Sequence, residues 1–426
     1  MTPTLEYARA CDEADVLGRF RERFAIPTDA SGSPLLYLCG HSLGLMPIEA
    51  RRRVEEELDD WARLAVLGHS QGLRPWIPYH RNLTAGLAYL CGARPHEVIG
   101  MNSLTVNLHL MLASFYRPEG RRTKILIEAG AFSSDRHAVA SQLAWHGRDA
   151  RTDLIELSPP PQGRSEIVPE EAIEAVLERS GDEIALVLWP GVQFRTGQAF
   201  DLARIVRAAH RAGCIAGVDL AHSIGNMPLA LHDHDADFAV WCSYKYLNAG
   251  PGAIGGCFVH ERHINAAPAS RLHGWWGHEE ATRFRMEPRF EAEAGAAAWQ
   301  ISNPPVLSAA PLIASLELFQ EAGLERLREK SIALTGFLEL LLQPLERQVE
   351  LITPREPERR GCQLSIRILG ARIRGAQVLH RLTDLGVICD WREPDVIRAA
   401  PIPLYNRFEE VFAFRERLAQ VLREIP

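Results

Sequence analysis

The chain has 426 residues, 46% hydrophobic and 24% charged, with a net charge of −7. That is ordinary for a globular protein large enough for two lobes, and it argues against nucleic acid as the main partner. Eight cysteines are scattered without a C-x-x-C pair, the N-terminus has no apolar signal segment, and no apolar run is long enough to span a bilayer. These features predict a cytoplasmic protein with no membrane partner.

Taken in order, Leu35 to Cys39 reads as a short strand followed by Gly40-His41-Ser42-Leu43-Gly44. A helix is predicted from about Ile48 to Leu67, with Val54, Leu58, Trp61 and Leu64 on one apolar face. Its Arg51–Arg53 and Glu55–Glu57 runs read as a solvated face of i,i+4 pairs. From about residue 97, strands and helices alternate: EVIGM, then a helix over TVNLHLMLASF, then KILIE and a helix from Arg136 to Trp145. Ile184 to Trp189 is a continuous apolar run, Asp201 caps a helix that Gly213 ends, and CIAGVDL is the next strand. The apolar run Phe238 to Cys242 then leads into Ser243-Tyr244-Lys245 and the glycines Gly250, Gly252, Gly255 and Gly256, which would let another group approach closely. Such alternation predicts an α/β fold, a mainly parallel sheet with helices on both faces. After about Pro305 the pattern changes to helices (Leu312 to Leu327, Ile332 to Leu342), the strands CQLSIRI and GVICDW, and a final amphipathic helix, predicting a smaller α+β domain. The predicted division is an N-terminal arm 1–47 serving the small domain and substrate site, a large cofactor-binding domain 48–305, and a small domain 306–426.

Ligands of open α/β sheets bind beyond the carboxyl ends of the strands. There the chain places Ser103-Leu104-Thr105 at a helix start, Phe132 to Asp135, Asp219 with His222, and Tyr244-Lys245. Desolvation at a buried strand end favours the neutral amine that forms Schiff bases, though a lysine there can also snorkel to solvent. Asp219 could equally be a turn or cap residue, Ser103 and Thr105 plain N-caps, Phe132 core, and His222 a structural histidine. Together they offer what an aldehyde-bearing, phosphorylated pyridine needs: an amine, a carboxylate for the ring nitrogen, an anion cradle and a flat neighbour.

The chain resembles the kynureninases, a family of the aminotransferase class V group with the type I pyridoxal-phosphate fold. The resemblance runs through LYLCGHSLGL, PGVQFRTGQ, GVDLAHSIGN, SYKYLNAGPG, GWWGH, ISNPP and IRAAPIPLYN. It implies pyridoxal 5'-phosphate as cofactor, Lys245 as its Schiff-base lysine and Asp219 as partner of the pyridine nitrogen. It implies that Leu104, Thr105, Phe132, Ser133, Ser134, Asp135, Pro190, His222, Tyr244, Trp275 and Asn303 touch the cofactor, with Tyr244 aiding proton transfer. Arg398 is implied for the substrate carboxylate, and Ser42, His69 and Asn303 for the region of its aromatic ring. The implied reaction is hydrolysis of L-kynurenine, or its 3-hydroxy form, to anthranilate or 3-hydroxyanthranilate and L-alanine, in a homodimer with shared active sites. The family pattern has Asn before Ser-Leu-Gly-Leu, where this chain has His41.

Four other readings compete. Gly40 to Gly44 is a literal G-x-S-x-G, but only about forty residues precede it, too few for a hydrolase elbow in mid-sheet. His232 and His234 in LHDHDAD, and His278-Glu279-Glu280, fit no usual metal spacing; a solvated loop is expected at the first and no metal at either. A cysteine desulfurase would need a mobile cysteine, whereas Cys362 and Cys389 fall in strand-like runs. A catalytically silent scaffold would have lost Lys245 or Asp219, and both are present.

Overall fold

The computed structural model describes residues 3–160, 166–264, 271–370 and 373–425. Its centre is a seven-stranded sheet. In chain order, with β1 the short Leu36–Tyr37, the strands are β2 (Val98–Gly100), β3 (Lys124–Glu128), β4 (Leu154–Leu157), β5 (Ile184–Pro190), β6 (Ile215–Asp219), β7 (Phe238–Cys242) and β8 (Gly255–Val259). Their spatial order is β2-β8-β7-β6-β5-β3-β4. From β7 to β4 all neighbours are parallel, and these strands are the apolar runs that a sheet covered on both faces requires.

The exception is β8, which the glycine-rich pattern conceals. It runs antiparallel to both β2 and β7. Its glycines do admit close neighbours: a Cβ on Gly256 would lie 2.5 Å from the Trp241 ring, and one on Gly255 would lie 3.0 Å from the Ser103 carbonyl carbon. The groups they admit are thus an indole and the turn before the helix Leu104–Phe115.

The helix after Pro47 spans Ile48–Leu64 and gives way to a 3₁₀ turn at Ala65–His69. Its expected apolar face is only half buried, with Val54 packed against the core. Leu58 and Trp61 are 42% and 59% exposed, while Glu57 and Asp60 are buried. Glu57 accepts hydrogen bonds from Arg74 Nε (2.6 Å), Trp76 Nε1 (3.1 Å) and Tyr79 Oη (3.0 Å), so ionic bonding rather than apolar burial sets which side faces in. The Arg/Glu runs are not one solvated face either: Arg51–Glu55 is exposed, but Arg53 reaches Glu317.

Toward the C-terminus, the helices are Val306–Ala322 and Leu324–Leu342, broken at Gly323 (φ 80°) and not near residue 330. The first packs into the core of the central sheet through Leu312, Leu316 and Phe319. A separate core joins Leu334, Phe337 and Leu338 to a four-stranded antiparallel sheet and the helix Phe408–Glu424. That sheet has the order β12-β13-β10-β9, from β9 (Val349–Leu351), β10 (Leu364–Ile368), β12 (Asp390–Arg392) and β13 (Val396–Ala399). GVICDW is not one strand: β11 (Val387–Ile388) pairs in parallel with β1, and β12 joins β13. Through β1 the N-terminal arm is tied to this second core, and Gly44 N–H donates to Tyr244 O (2.8 Å), anchoring the GHSLG turn beside the lysine loop.

Candidate active site

One cavity opens at the carboxyl ends of β3, β5, β6 and β7. Leu104, Thr105, Phe132, Ser134, Asp135, Pro190, Asp219, His222, Tyr244 and Lys245 all line it, so ten of the residues singled out from sequence meet there. Lys245 Nζ lies 3.1 Å from His222 Nε2 and 5.7 Å from the centre of the Phe132 ring. Burial, with Lys245 and Arg398 nearby, holds the His222 imidazole well below its usual range. A neutral His222 therefore accepts from the lysine ammonium.

Two carboxyls face each other across this cavity. Asp219 is 7% exposed and takes a hydrogen bond from Ala221 N–H (2.7 Å), which orients it. Burial, the Asp219 charge and a hydrogen bond to Asp219 hold the Asp135 carboxyl well above the usual range, so the pair retains a proton. Burial and the neighbouring Cys242 thiol likewise push the Tyr244 phenol up, leaving it a proton donor across neutral pH.

The helix Leu104–Phe115 starts at Ser103 without a side-chain cap, so its first N–H groups face the cavity unclaimed by a side chain. Beside them the Thr105 and Ser134 hydroxyls lie 3.1 Å apart. Uncapped amides and paired hydroxyls suit a phosphate, the Asp135–Asp219 pair suits a pyridine nitrogen, and Lys245 suits an aldehyde. The residues present fit a pyridoxal phosphate.

Arg398 comes from β13 and is 1% exposed, so it is no surface charge. Its Nε and Nη2 grip Asp390 (2.9 and 2.6 Å), and Nη1 donates to Phe194 O (2.6 Å), a residue that lines the cavity. A guanidinium has five N–H donors, so two have no partner among the described residues. Asp390 was not legible as a site residue, because nothing in its strand pattern marks it as the arginine's anchor.

The other expected residues lie elsewhere in this chain. Ser133 is exposed on the helix Ser133–Trp145. His69 and Asn303 meet in a separate cleft with Glu57, Trp61, Trp76 and Trp276, and Trp275 is 47% exposed against Trp276 and Phe284. Ser42 makes no side-chain hydrogen bond to a histidine among the described residues, and its turn follows a two-residue strand outside the central sheet, which removes the support for a nucleophile elbow. His41 is fully buried with neither ring nitrogen bonded, 6.5 Å from the His222 ring.

The LHDHDAD segment is only partly the solvated loop expected: Asp233 and Asp235 are exposed, but Asp237 is buried and binds His210 and His263, and His232 bonds to Glu97, a buried residue from the turn before β2. Two groups, Glu97 with His232 and His260, and Cys39 with His41 and Asp390, have metal-like proximity. In both, the carboxylate is already engaged, by His232 and two backbone N–H groups and by Arg398. Cys362 is buried beside Ser331 and burial pushes its thiol up to about 11, the opposite of a mobile nucleophile.

Relatives decide the family. A kynureninase of Xanthomonas euvesicatoria is 55% identical over 414 residues, covering 97% of each chain. One from Myxococcus xanthus is 54% identical over 419 residues, 98% of this chain and 97% of its own. The chain belongs to the kynureninase family. The model of the kynureninase C-terminal domain also matches residues 327–418. Among solved structures, the cystine C-S lyase C-DES with glycine linked to its PLP cofactor superposes with a TM-score of 0.76 at 19% identity, over 94% of this chain and 98% of its own. The cysteine desulfurase CsdA of Escherichia coli gives 0.74 at 16% identity, over 96% and 99%. At such identities the kynureninase-family chain shares with these proteins the fold alone.

Proposed function

We propose that this chain is a pyridoxal-phosphate-dependent kynureninase, cleaving L-kynurenine with water to anthranilate and L-alanine. The observation that carries the reading is the single cavity joining Lys245, the Asp135–Asp219 pair, the uncapped helix start and Phe194, which Arg398 binds. When bound, the cofactor supplies an electron-withdrawing pyridine ring that draws charge from the substrate's reacting carbons.

The chain's own groups do the rest. Lys245 would hold the cofactor through its aldehyde and, as a free amine, would carry the substrate's α-proton. His222 Nε2, 3.1 Å away and held neutral, accepts a hydrogen bond from the amine and so orients it. Asp219 keeps the pyridine nitrogen protonated, and Asp135 retains its own proton and so does not add a second charge. Tyr244, held as a phenol, gives a proton to the developing product. The two free N–H groups of Arg398 bind the α-carboxylate as a fork, fixing the Cα–H bond over the lysine.

We infer a homodimer in which His69, Trp275 and Asn303 complete the partner's site, with Ser42 lining the region of the substrate ring. Supporting this, those three residues are remote from the Lys245 cavity, and Leu58 and Trp61 expose an apolar stripe beside His69. Cytoplasmic action is supported by eight free thiols and by a net charge of −7; no helix of the described residues is long and apolar enough to cross a membrane. The packing also supports a division in which 48–305 carry the cofactor, with the arm 1–47 shared: Ala8, Leu36 and Leu38 pack in the C-terminal core, but Leu17, Phe20, Phe24 and Leu45 pack in the core of the central sheet. The helix Val306–Ala322 goes with the large lobe, which moves the inferred boundary to Gly323.

The test is the visible spectrum of the purified protein before and after borohydride, with the reduced adduct mapped by peptide mass. A yellow band bleached by reduction, the adduct on Lys245, and anthranilate released from kynurenine are expected. A protein that stays colourless with added pyridoxal phosphate overturns the reading.

A further inference from the structure

One acid in the cavity has no task in the chemistry above. Glu128 ends β3, and its side chain lines the same cavity as Asp135, Asp219 and Lys245. It is 3% exposed, and its Oε2 is buried without a hydrogen-bond partner among the described residues. Gln193, from the loop after β5, is the side chain that bonds to its carboxyl. Burial outweighs that bond and pushes the carboxyl up to about 8, so it keeps its proton at neutral pH.

An unpaired buried oxygen on a polar group is costly unless something bonds it. A carboxylate there would need donors, and no donor reaches Oε2. A carboxylic acid needs an acceptor instead, and the Glu128 side chain lines the cavity. Charge balance points the same way: the cavity already holds Asp219, whose charge keeps Asp135 protonated, and a second anion would add repulsion.

We infer that Glu128 is a cofactor-binding residue, its carboxyl donating a hydrogen bond to an acceptor oxygen of the bound pyridine cofactor. This rests on the reading of the cavity as a pyridoxal-phosphate site. Glu128→Gln preserves a neutral donor of the same shape and keeps the cofactor's dissociation constant within about threefold, whereas Glu128→Leu, with no donor, weakens it roughly tenfold. Both are measured by titrating pyridoxal phosphate into the apoprotein.

A second readout separates this role from mere support of the Gln193 loop. In infrared difference spectra of holoprotein minus apoprotein, the carbonyl band of a protonated carboxyl shifts on loading, and the Glu128→Gln protein lacks that feature. A band that does not move on loading, or equal affinity of the Glu128→Leu and wild-type proteins, overturns the inference alone. A wild-type protein that binds no pyridoxal phosphate overturns it together with the reading it rests on.

Discussion

Replacing Arg398 with lysine tests the carboxylate clamp most directly. The guanidinium is 1% exposed and commits three donors, two to Asp390 and one to Phe194 O. Two of its five N–H groups remain for the substrate. Lysine keeps the positive charge that balances buried Asp390, so the folded state survives better than with a neutral substitute. It cannot, however, grip Asp390 and also present a fork to a second carboxylate. The loss is about one charge-assisted hydrogen bond in the substrate complex, roughly 1.5–3 kcal/mol. Expressed in kcat/KM that is about 10- to 150-fold, appearing mainly in KM. The assay compares kynurenine with its decarboxylated amine, following anthranilate fluorescence, on protein whose cofactor absorbance is unchanged. For the amine, wild type and Arg398→Lys should agree within about threefold. An equal fall for both substrates would refute the clamp and make Arg398 a structural residue only.

Three further outcomes follow from the same geometry. Burial holds His41 neutral, so the unfolded chain binds one more proton at this site once the pH drops below about 6.5. Stability is therefore lost as pH falls through that value. His41→Asn should lose less, the difference approaching about 1.4 kcal/mol per pH unit in apoprotein urea melts at pH 5 to 7; parallel curves would count against it. Trp61→Glu on the exposed stripe should shift sedimentation from dimer to monomer and reduce turnover by at least tenfold, because the inferred partner residues leave the site; an unchanged dimer would place the interface elsewhere. Cys389→Ser should leave kcat for kynurenine within about twofold, since burial and the nearby Cys39 and Asp390 push that thiol up and keep it unreactive. A large loss in kcat with the fold intact would reopen thiol chemistry.

Much of this site is written locally. Each strand of the parallel run is a short apolar segment, and its chemistry-bearing residues come directly after it: Asp135 after β3, Asp219 at the end of β6, Lys245 after β7. Parallel pairing forces those ends to one edge, so the sequence order alone implies that they converge. Cap and breaker chemistry was legible for the same reason: Asp201 caps its helix through a bond from Arg204 N–H, and Gly213 ends it at φ 75°. What the tertiary structure decided is what depends on partners far along the chain. The helix Ile48–Leu64 carries an apolar stripe that local periodicity assigns to the core, but buried Glu57, bound to Arg74, Trp76 and Tyr79, leaves Leu58 and Trp61 outward. Asp390 anchors Arg398 across two strands, and the register of β12 with β13 sets them directly opposite. Glu128 reads as the last residue of a strand, and only its enclosure among Asp135, Asp219 and Gln193 makes it a neutral acid. Backbone conformation is set by neighbours in sequence; protonation state and orientation are set by neighbours in space.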